Sequence, residues 1–400
     1  MEETKSKLSK KSLLGLLILV LPLIFLLEFQ IPIKKGLAGD VDSITRTCRS
    51  ENNKESCYAK AFETLTKSTD RDYAFAVLRE LQRKDAQARG CHFIAHAIST
   101  AETEKDITKW KELLNTAPPD CSYGGVHGVL EAYAANAFPD GKLPKEIIPS
   151  LCDNPDMNNC VHGLGHLILV ETEDDIKEAL DICDLLPHNT ITKFECITGV
   201  FMERITAVNL EIHGLAGKET LDWPARMPEL ETLCKEQIPG TPPSIACWKE
   251  ITHAALAKFN NDPQKIVVFC ESAPGETETR QCIDHSLGIM AGSLNFELRK
   301  MGPICNAEVE ADDYKNRCYA HLISSTMSTV PEEIASAVQF CASAEEEFQS
   351  SCFSMIGNSF NRVRPESRET LARECSQAPQ NMREKCEQGG YTGIVFYSGD

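Results

Sequence analysis

The chain has 400 residues, with 41 basic and 59 acidic side chains, a net charge of −18, and 18 cysteines. That acidity excludes the usual nucleic-acid binder, which carries a basic patch or stripe. A hydrophobic fraction of 42% without a long low-complexity tract excludes a wholly disordered chain, and the length allows one large core, several domains or a repeat array.

The first element is apolar. Residues 1–12 are basic on balance, and residues 13–33 (LLGLLILVLPLIFLLEFQIPI) are broken only by Glu28 and Gln30 among strongly polar types. A membrane-spanning helix needs about 20 mostly apolar residues. Lys5, Lys7, Lys10 and Lys11 precede the run, and the positive-inside tendency then places the N-terminus in the cytoplasm. The expected layout is a cytoplasmic tail (1–12), a transmembrane signal anchor (13–33), a linker (34–47) and an extracytoplasmic domain (48–400) in the periplasm or at the cell exterior. The rival is a cleaved signal peptide with GLA (36–38) as its cleavage site. All 18 cysteines follow the apolar run, which suits an oxidising compartment.

The cysteines then set a rhythm. Cys48/Cys57, Cys152/Cys160, Cys183/Cys196, Cys234/Cys247, Cys270/Cys282, Cys305/Cys318, Cys341/Cys352 and Cys375/Cys386 form neighbouring couples, leaving Cys91 and Cys121. From Cys247 onward the second members recur every 35, 36, 34 and 34 residues, a period typical of helical repeats. Each second cysteine opens an apolar segment, here the A helix (CWKEITHAALAKF, CIDHSLGIMAG). Each first cysteine closes a more polar amphipathic segment, the B helix (DPQKIVVFC, PEEIASAVQFC). Strand signals are scarce. A segments begin near 57, 91, 121, 160, 196, 247, 282, 318, 352 and 386, with an insertion (VNLEIHGLAGKETLDWPARMP) in the longer step from 196 to 247. The expected fold is all-α: a right-handed α-solenoid of about ten disulfide-linked helix hairpins after an N-terminal transmembrane helix. In such an array each unit touches only its neighbours. Cys91 and Cys121 are expected to pair with each other, which requires Cα atoms within about 7 Å; the alternative is two free thiols beside His92.

This cysteine layout resembles the disulfide-stapled Sel1-like, tetratricopeptide-related repeat proteins over about residues 40–390. The resemblance implies a helical-repeat shape and a tendency to bind peptide or protein partners.

Histidines concentrate on the early A segments. His92/His96, His127/Glu131 and His162/His166 are three pairs at i,i+4 on consecutive A helices, a spacing that places both members on one helical face. Five imidazoles and a carboxylate from three stacked helices suit zinc or iron, with open coordination positions for chemistry. Gly124, Gly125, Gly128, Gly163 and Gly165 flank them and let neighbouring helices approach closely. His253 lies on a later A segment, and His285 and His321 read as structural. His-Glu-x-x-His, Gly-x-Ser-x-Gly and Cys-x-x-Cys motifs are absent. The expected role is a membrane-anchored scaffold for a protein or peptide partner, with a metal site in its N-terminal third. The alternative is a metal-dependent hydrolase or oxygenase that uses those six residues.

Overall fold

The computed structural model describes residues 36–51, 53–138, 143–152, 158–186, 190–206, 223–309 and 313–390. In chain order its α-helices begin with α1 (Leu37–Cys48), α2 (Lys54–Ser68), α3 (Arg71–Lys84), α4 (His92–Lys105), α5 (Trp110–Asn115), α6 (Gly124–Ala137) and α7 (Ile148–Leu151). Next come α8 (Asn158–Glu171), α9 (Ile176–Asp184), α10 (Thr190–Thr206), α11 (Trp223–Lys235), α12 (Pro242–Glu250), α13 (Thr252–Phe259) and α14 (Pro263–Cys270). The series ends with α15 (Glu276–Ser293), α16 (Leu298–Cys305), α17 (Tyr314–Thr329), α18 (Ile334–Ser343), α19 (Glu346–Val363), α20 (Arg368–Cys375) and α21 (Arg383–Gln388). No strand occurs among the described residues.

The two helix kinds follow from their residues. Several B helices start on an aspartate whose side chain accepts from the backbone N–H three residues on: Asp70 for α3, Asp175 for α9 and Asp262 for α14. Their apolar residues recur at helical spacing and face the A layer, as Ala179, Ile182 and Cys183 do in α9. The A helices are α2, α4, α6, α8, α10, α12/α13, α15, α17, α19 and α21; those inside the array, such as α6 and α19, are buried on more of their circumference, and the sixth is interrupted at Ile251.

Nine disulfides staple the layers, and no described cysteine is free. Eight join the expected couples. The first four are Cys48–Cys57, Cys152–Cys160, Cys183–Cys196 and Cys234–Cys247. The other four are Cys270–Cys282, Cys305–Cys318, Cys341–Cys352 and Cys375–Cys386. The ninth links Cys91 to Cys121 with Cα atoms 5.2 Å apart, so the free-thiol alternative falls. On the chain-entropy account, a short loop closed by a disulfide contributes about 3 kcal/mol.

One detail of the cysteine register is corrected. The second cysteine of each couple does not open its A helix but lies inside it. Helices α2, α8, α17 and α21 start at Lys54, Asn158, Tyr314 and Arg383, ahead of Cys57, Cys160, Cys318 and Cys386. Helices α10, α12, α15 and α19 likewise start ahead of Cys196, Cys247, Cys282 and Cys352. The reason is that the residues just before these cysteines are largely polar, which hid them from a reading based on apolar runs. They wind a first turn whose N–H groups can face water.

Neighbouring A helices approach to backbone contact. A Cβ added to Gly128 would stand 2.3 Å from the His96 carbonyl oxygen, and one added to Gly199 would stand 2.0 Å from that of His162. Such closeness on the A side lets the array bend. The bend brings distant repeats together. Arg89, just before α4, pairs with Glu333, just after α17. Asp120, just before α6, pairs with Arg364, just after α19, and with Arg79 at 2.6 Å. Ser122 Oγ lies 3.2 Å from Thr329 Oγ1. From α4 to α17 and from α6 to α19 is six A helices in each case, so the coil meets itself after six repeats. Asp120 is buried, which alone would raise its carboxyl; hydrogen bonds and charge from Arg364 and Arg79 outweigh this and hold it below the usual aspartate range.

Three parts of the expected layout are also corrected. The solenoid with contacts only between neighbours is instead a coil whose successive turns touch, because small rotations between closely packed A helices accumulate. The transmembrane helix does not belong to the described architecture. No helix of the described residues is long and apolar enough to cross a membrane, and the expected span at 13–33 lies outside those residues. The longest described helices, α15 and α19, mix charged and polar residues through their length. Lastly, the 34–47 linker is largely helix α1, whose Val41, Ile44 and Cys48 face inward and whose Asp40 accepts a hydrogen bond from Tyr73 Oη at 2.7 Å. Residues 208–222 of the insertion lie outside the described residues, and its end, from Trp223, begins α11.

Candidate metal centre

The three i,i+4 pairs converge. His92 and His96 project from α4, His127 and Glu131 from α6, and His162 and His166 from α8. Glycines hold these helices at the needed separation: Gly124 and Gly128 sit against the carbonyls of His92 and His96, Gly163 against the His127 ring, and Gly165 against the Cys196 carbonyl of α10. One ligand atom from each of His92, His96 and His127 lies within 4.8 Å of the others. The His127 ring centroid lies 5.1 and 5.2 Å from those of His92 and His96, and 5.6 and 5.4 Å from those of His162 and His166. His127 thus stands between two histidine pairs.

Within each pair the Nε2 atoms face each other at 3.2 Å. The opposite ring nitrogens decide the protons. His92 Nδ1 lies 3.1 Å from the Cys121 carbonyl oxygen, which can only accept, so Nδ1 donates. His96 Nδ1 donates to the Glu131 carboxylate at 3.3 Å, and His166 Nδ1 to Glu203 at 2.8 Å. Thr198 Oγ1 gives its proton to the Glu195 carbonyl and accepts from His162 Nδ1 at 2.9 Å. A neutral imidazole that donates from Nδ1 has a lone pair on Nε2. With both rings of a pair neutral, their Nε2 atoms aim lone pairs at one another.

Protonating one ring of a pair would relieve this contact, and burial opposes it at His96 and His162. Burial, then the charge of His166, pushes His96 down to about 3. Burial, then the neighbouring histidines, lowers His127 well below the usual range, and burial with His166 lowers His162 likewise. Neutral imidazole is the form that ligates metals. Metal–nitrogen bonds of about 2.0–2.1 Å put tetrahedral ligands about 3.4 Å apart, close to the spacing within each pair.

Comparison with family models, curated proteins and solved structures returns no match. The chemistry of the side chains therefore carries the assignment.

The structure brings all six expected residues together but gives Glu131 a distinct place, on the far nitrogen of His96. Glu195, Thr198 and Glu203 of α10 do the same work for His162 and His166, and the sequence reading missed them because α10 carries no histidine. The Cys121 carbonyl is set by an unusual turn: Cys121, Ser122 and Tyr123 have φ of 59, 52 and 60°, a left-handed stretch of non-glycine residues. The Cys91 disulfide, the Asp120 ion pairs and the Ser122–Thr329 contact hold it.

A second group, Glu250, His253 and His285, also brings ligand atoms within 4.8 Å, so two His/Glu clusters of the A layer could hold a metal ion. Glu195 lies between them, 3.8 Å from His162 Nδ1 and within the field of Lys249 and Glu250. The Glu-x-x-His spacing at 250–253 is the sequence signal for this group. His321, read as structural, pairs with Asp284 at 3.2 Å, as does Arg317.

Proposed function

We propose that this chain is a metal-binding helical-repeat protein of an oxidising, extracytoplasmic compartment. Zinc or iron is held by His92, His96, His127, His162 and His166, and Glu131, Glu195 and Glu203 orient the rings and balance the charge. The observation that carries this reading is the pair of Nε2–Nε2 contacts at 3.2 Å, with each ring held by a partner on its other nitrogen. Between neutral rings such contacts are repulsive, and a cation bound by both nitrogens relieves them. Carboxylates on the non-ligating nitrogens raise ligand basicity and fix ring orientation, the usual outer support of a metal-bound histidine. The nine disulfides support the oxidising compartment. On this reading the metal ties three repeats of a scaffold whose surface engages a protein or peptide partner.

A second reading is a metal-dependent hydrolase or oxygenase. It is favoured by the His92/His96/His127 group, which offers three protein ligands and so leaves a position for water or substrate. Elemental analysis of the purified protein after equilibration with zinc or iron(II) tests both readings. At least one tightly held ion per chain is expected, with a clear loss in His162→Ala while the disulfides stay intact. Absence of bound metal from a folded wild-type chain refutes both.

A further inference from the structure

The Glu250 group shares no ligand with the N-terminal histidines and stands on its own observations. Glu250 ends α12, His253 lies one turn on in α13, and His285 faces them from α15 of the next repeat. Glu250 has 0% exposure. Its Oε2 lies 3.3 Å from His285 Nε2 and 3.7 Å from His253 Nε2. Yet both carboxylate oxygens and both of these ring nitrogens are buried without an aligned hydrogen bond among the described residues. Lys249 Nζ, 3.0 Å from Oε1, makes an ion pair off the hydrogen-bonding direction. A carboxylate taken out of water needs partners for its lone pairs, and two imidazole nitrogens aimed at one of its oxygens fill that need only if something lies between. An ion bonded at about 2.1 Å to each would set tetrahedral ligand atoms about 3.4 Å apart, and the two measured separations lie on either side of that value.

A cavity of about 260 Å³ adjoins the group, reached past Lys249 and His285 and lined further by Gln281, Asp284, His321 and Ser325. Asp284, its one lining carboxylate, is taken up by Arg317 and His321. Lys249 and Glu250 cancel in charge, so a divalent ion here leaves a net positive site facing the cavity.

We propose that Glu250, His253 and His285 form a second divalent-cation site, and that its open positions face this cavity and take a small oxyanion-bearing ligand beside Lys249. Three protein ligands with a roomy fourth side is the arrangement of a metal site that handles a ligand rather than one that only braces the fold.

The test uses the full chain with zinc and inorganic phosphate as probes. Zinc stoichiometry is measured by equilibrium dialysis for wild type, Glu250→Gln, His253→Asn and His162→Ala. Glu250→Gln and His253→Asn are each expected to remove one equivalent, or weaken its binding at least tenfold, and to leave the His162-dependent metal in place. His162→Ala is expected to leave the Glu250-dependent equivalent, which separates failure of this proposal from failure of the N-terminal centre. Phosphate titrated calorimetrically into the zinc-loaded chain should bind to wild type and be lost in Lys249→Met and Glu250→Gln. Zinc stoichiometry and affinity unchanged in folded His253→Asn would overturn the cation site and leave an ion-pair network of Lys249, Glu250 and His285. Zinc loss without phosphate binding, or phosphate binding unaffected by the variants, would overturn the ligand assignment.

Discussion

Gly199→Ala separates what local propensity expects from what the tertiary structure imposes. Within a helix, alanine exceeds glycine by about 1 kcal/mol, so α10 taken alone should gain from the change. In the folded chain the new methyl would lie 2.0 Å from the His162 carbonyl oxygen, with Gly165 Cα 3.0 Å away, both rigid backbone. Restoring an ordinary contact of 3.4 Å requires α8 and α10 to part by about 1.4 Å. Overpacking a tight core costs about 1–3 kcal/mol, and two facing helix backbones that cannot rotate away place this site at the upper end. The net expectation is a loss of about 2 kcal/mol. The same shift would pull Thr198 and Glu203 away from His162 and His166, and loss of such outer partners lowers metal affinity about 10–100-fold. Gly292→Ala is the control. It lies in α15 with only Phe296 Cζ, at 3.8 Å, near the added carbon, and should be stabilised by about 0.5–1 kcal/mol. Urea unfolding with disulfides intact, followed by circular dichroism, reads the stabilities, and dialysis against zinc reads the affinity. Gly199→Ala as stable as wild type, with unchanged zinc binding, would refute the argument that helix contact at these glycines builds the site.

Other outcomes follow from the same geometry. Glu203→Gln should keep the fold and weaken zinc binding about 10–100-fold by equilibrium dialysis, because it loosens His166 without removing a ligand. Asp120 has a folded pKa below its ordinary value of 3.8, so its stabilising effect is complete above that pH and is lost as the pH falls through the folded value. Hydrogen-exchange protection around 120 and 364 should therefore fall below about pH 4 in wild type, and Asp120→Asn should show low protection there at neutral pH. Replacing Cys91 and Cys121 together by alanine should cost about 3–4 kcal/mol. The resulting increase in exchange should extend to 329–364, across the turn contact, whereas loss of Cys270–Cys282 should act on its own repeat junction.

The cysteine register made most of the fold legible, because a disulfide demands close Cα atoms and so converts a regular spacing into a regular stack. The i,i+4 histidines were legible for the same reason: helical spacing alone puts His162 and His166 on one face. What the pattern did not carry was which nitrogen of each ring would point inward. That depends on Glu203, Thr198 and the Cys121 carbonyl, contributed from neighbouring elements and with no motif of their own. Glu131 was read as a ligand because its spacing from His127 copies the histidine pairs, but its oxygen reaches His96 Nδ1. Contact between Asp120 and Arg364, 244 residues apart, arises from summed small rotations that no local stretch encodes.

The meeting of one coil turn with the next bears on how this chain can vary. An open-ended stack tolerates gain or loss of a whole unit, because each unit needs only the two beside it. Here Arg89 must find Glu333, and Asp120 must find Arg364, after a set number of units. Excising or duplicating one hairpin between residues 123 and 330 would leave each partner about 35 residues out of phase. The number of units in that interval is thus set by the contacts between turns, as the number of staves is in a barrel, and those contacts leave room for length change at the two ends.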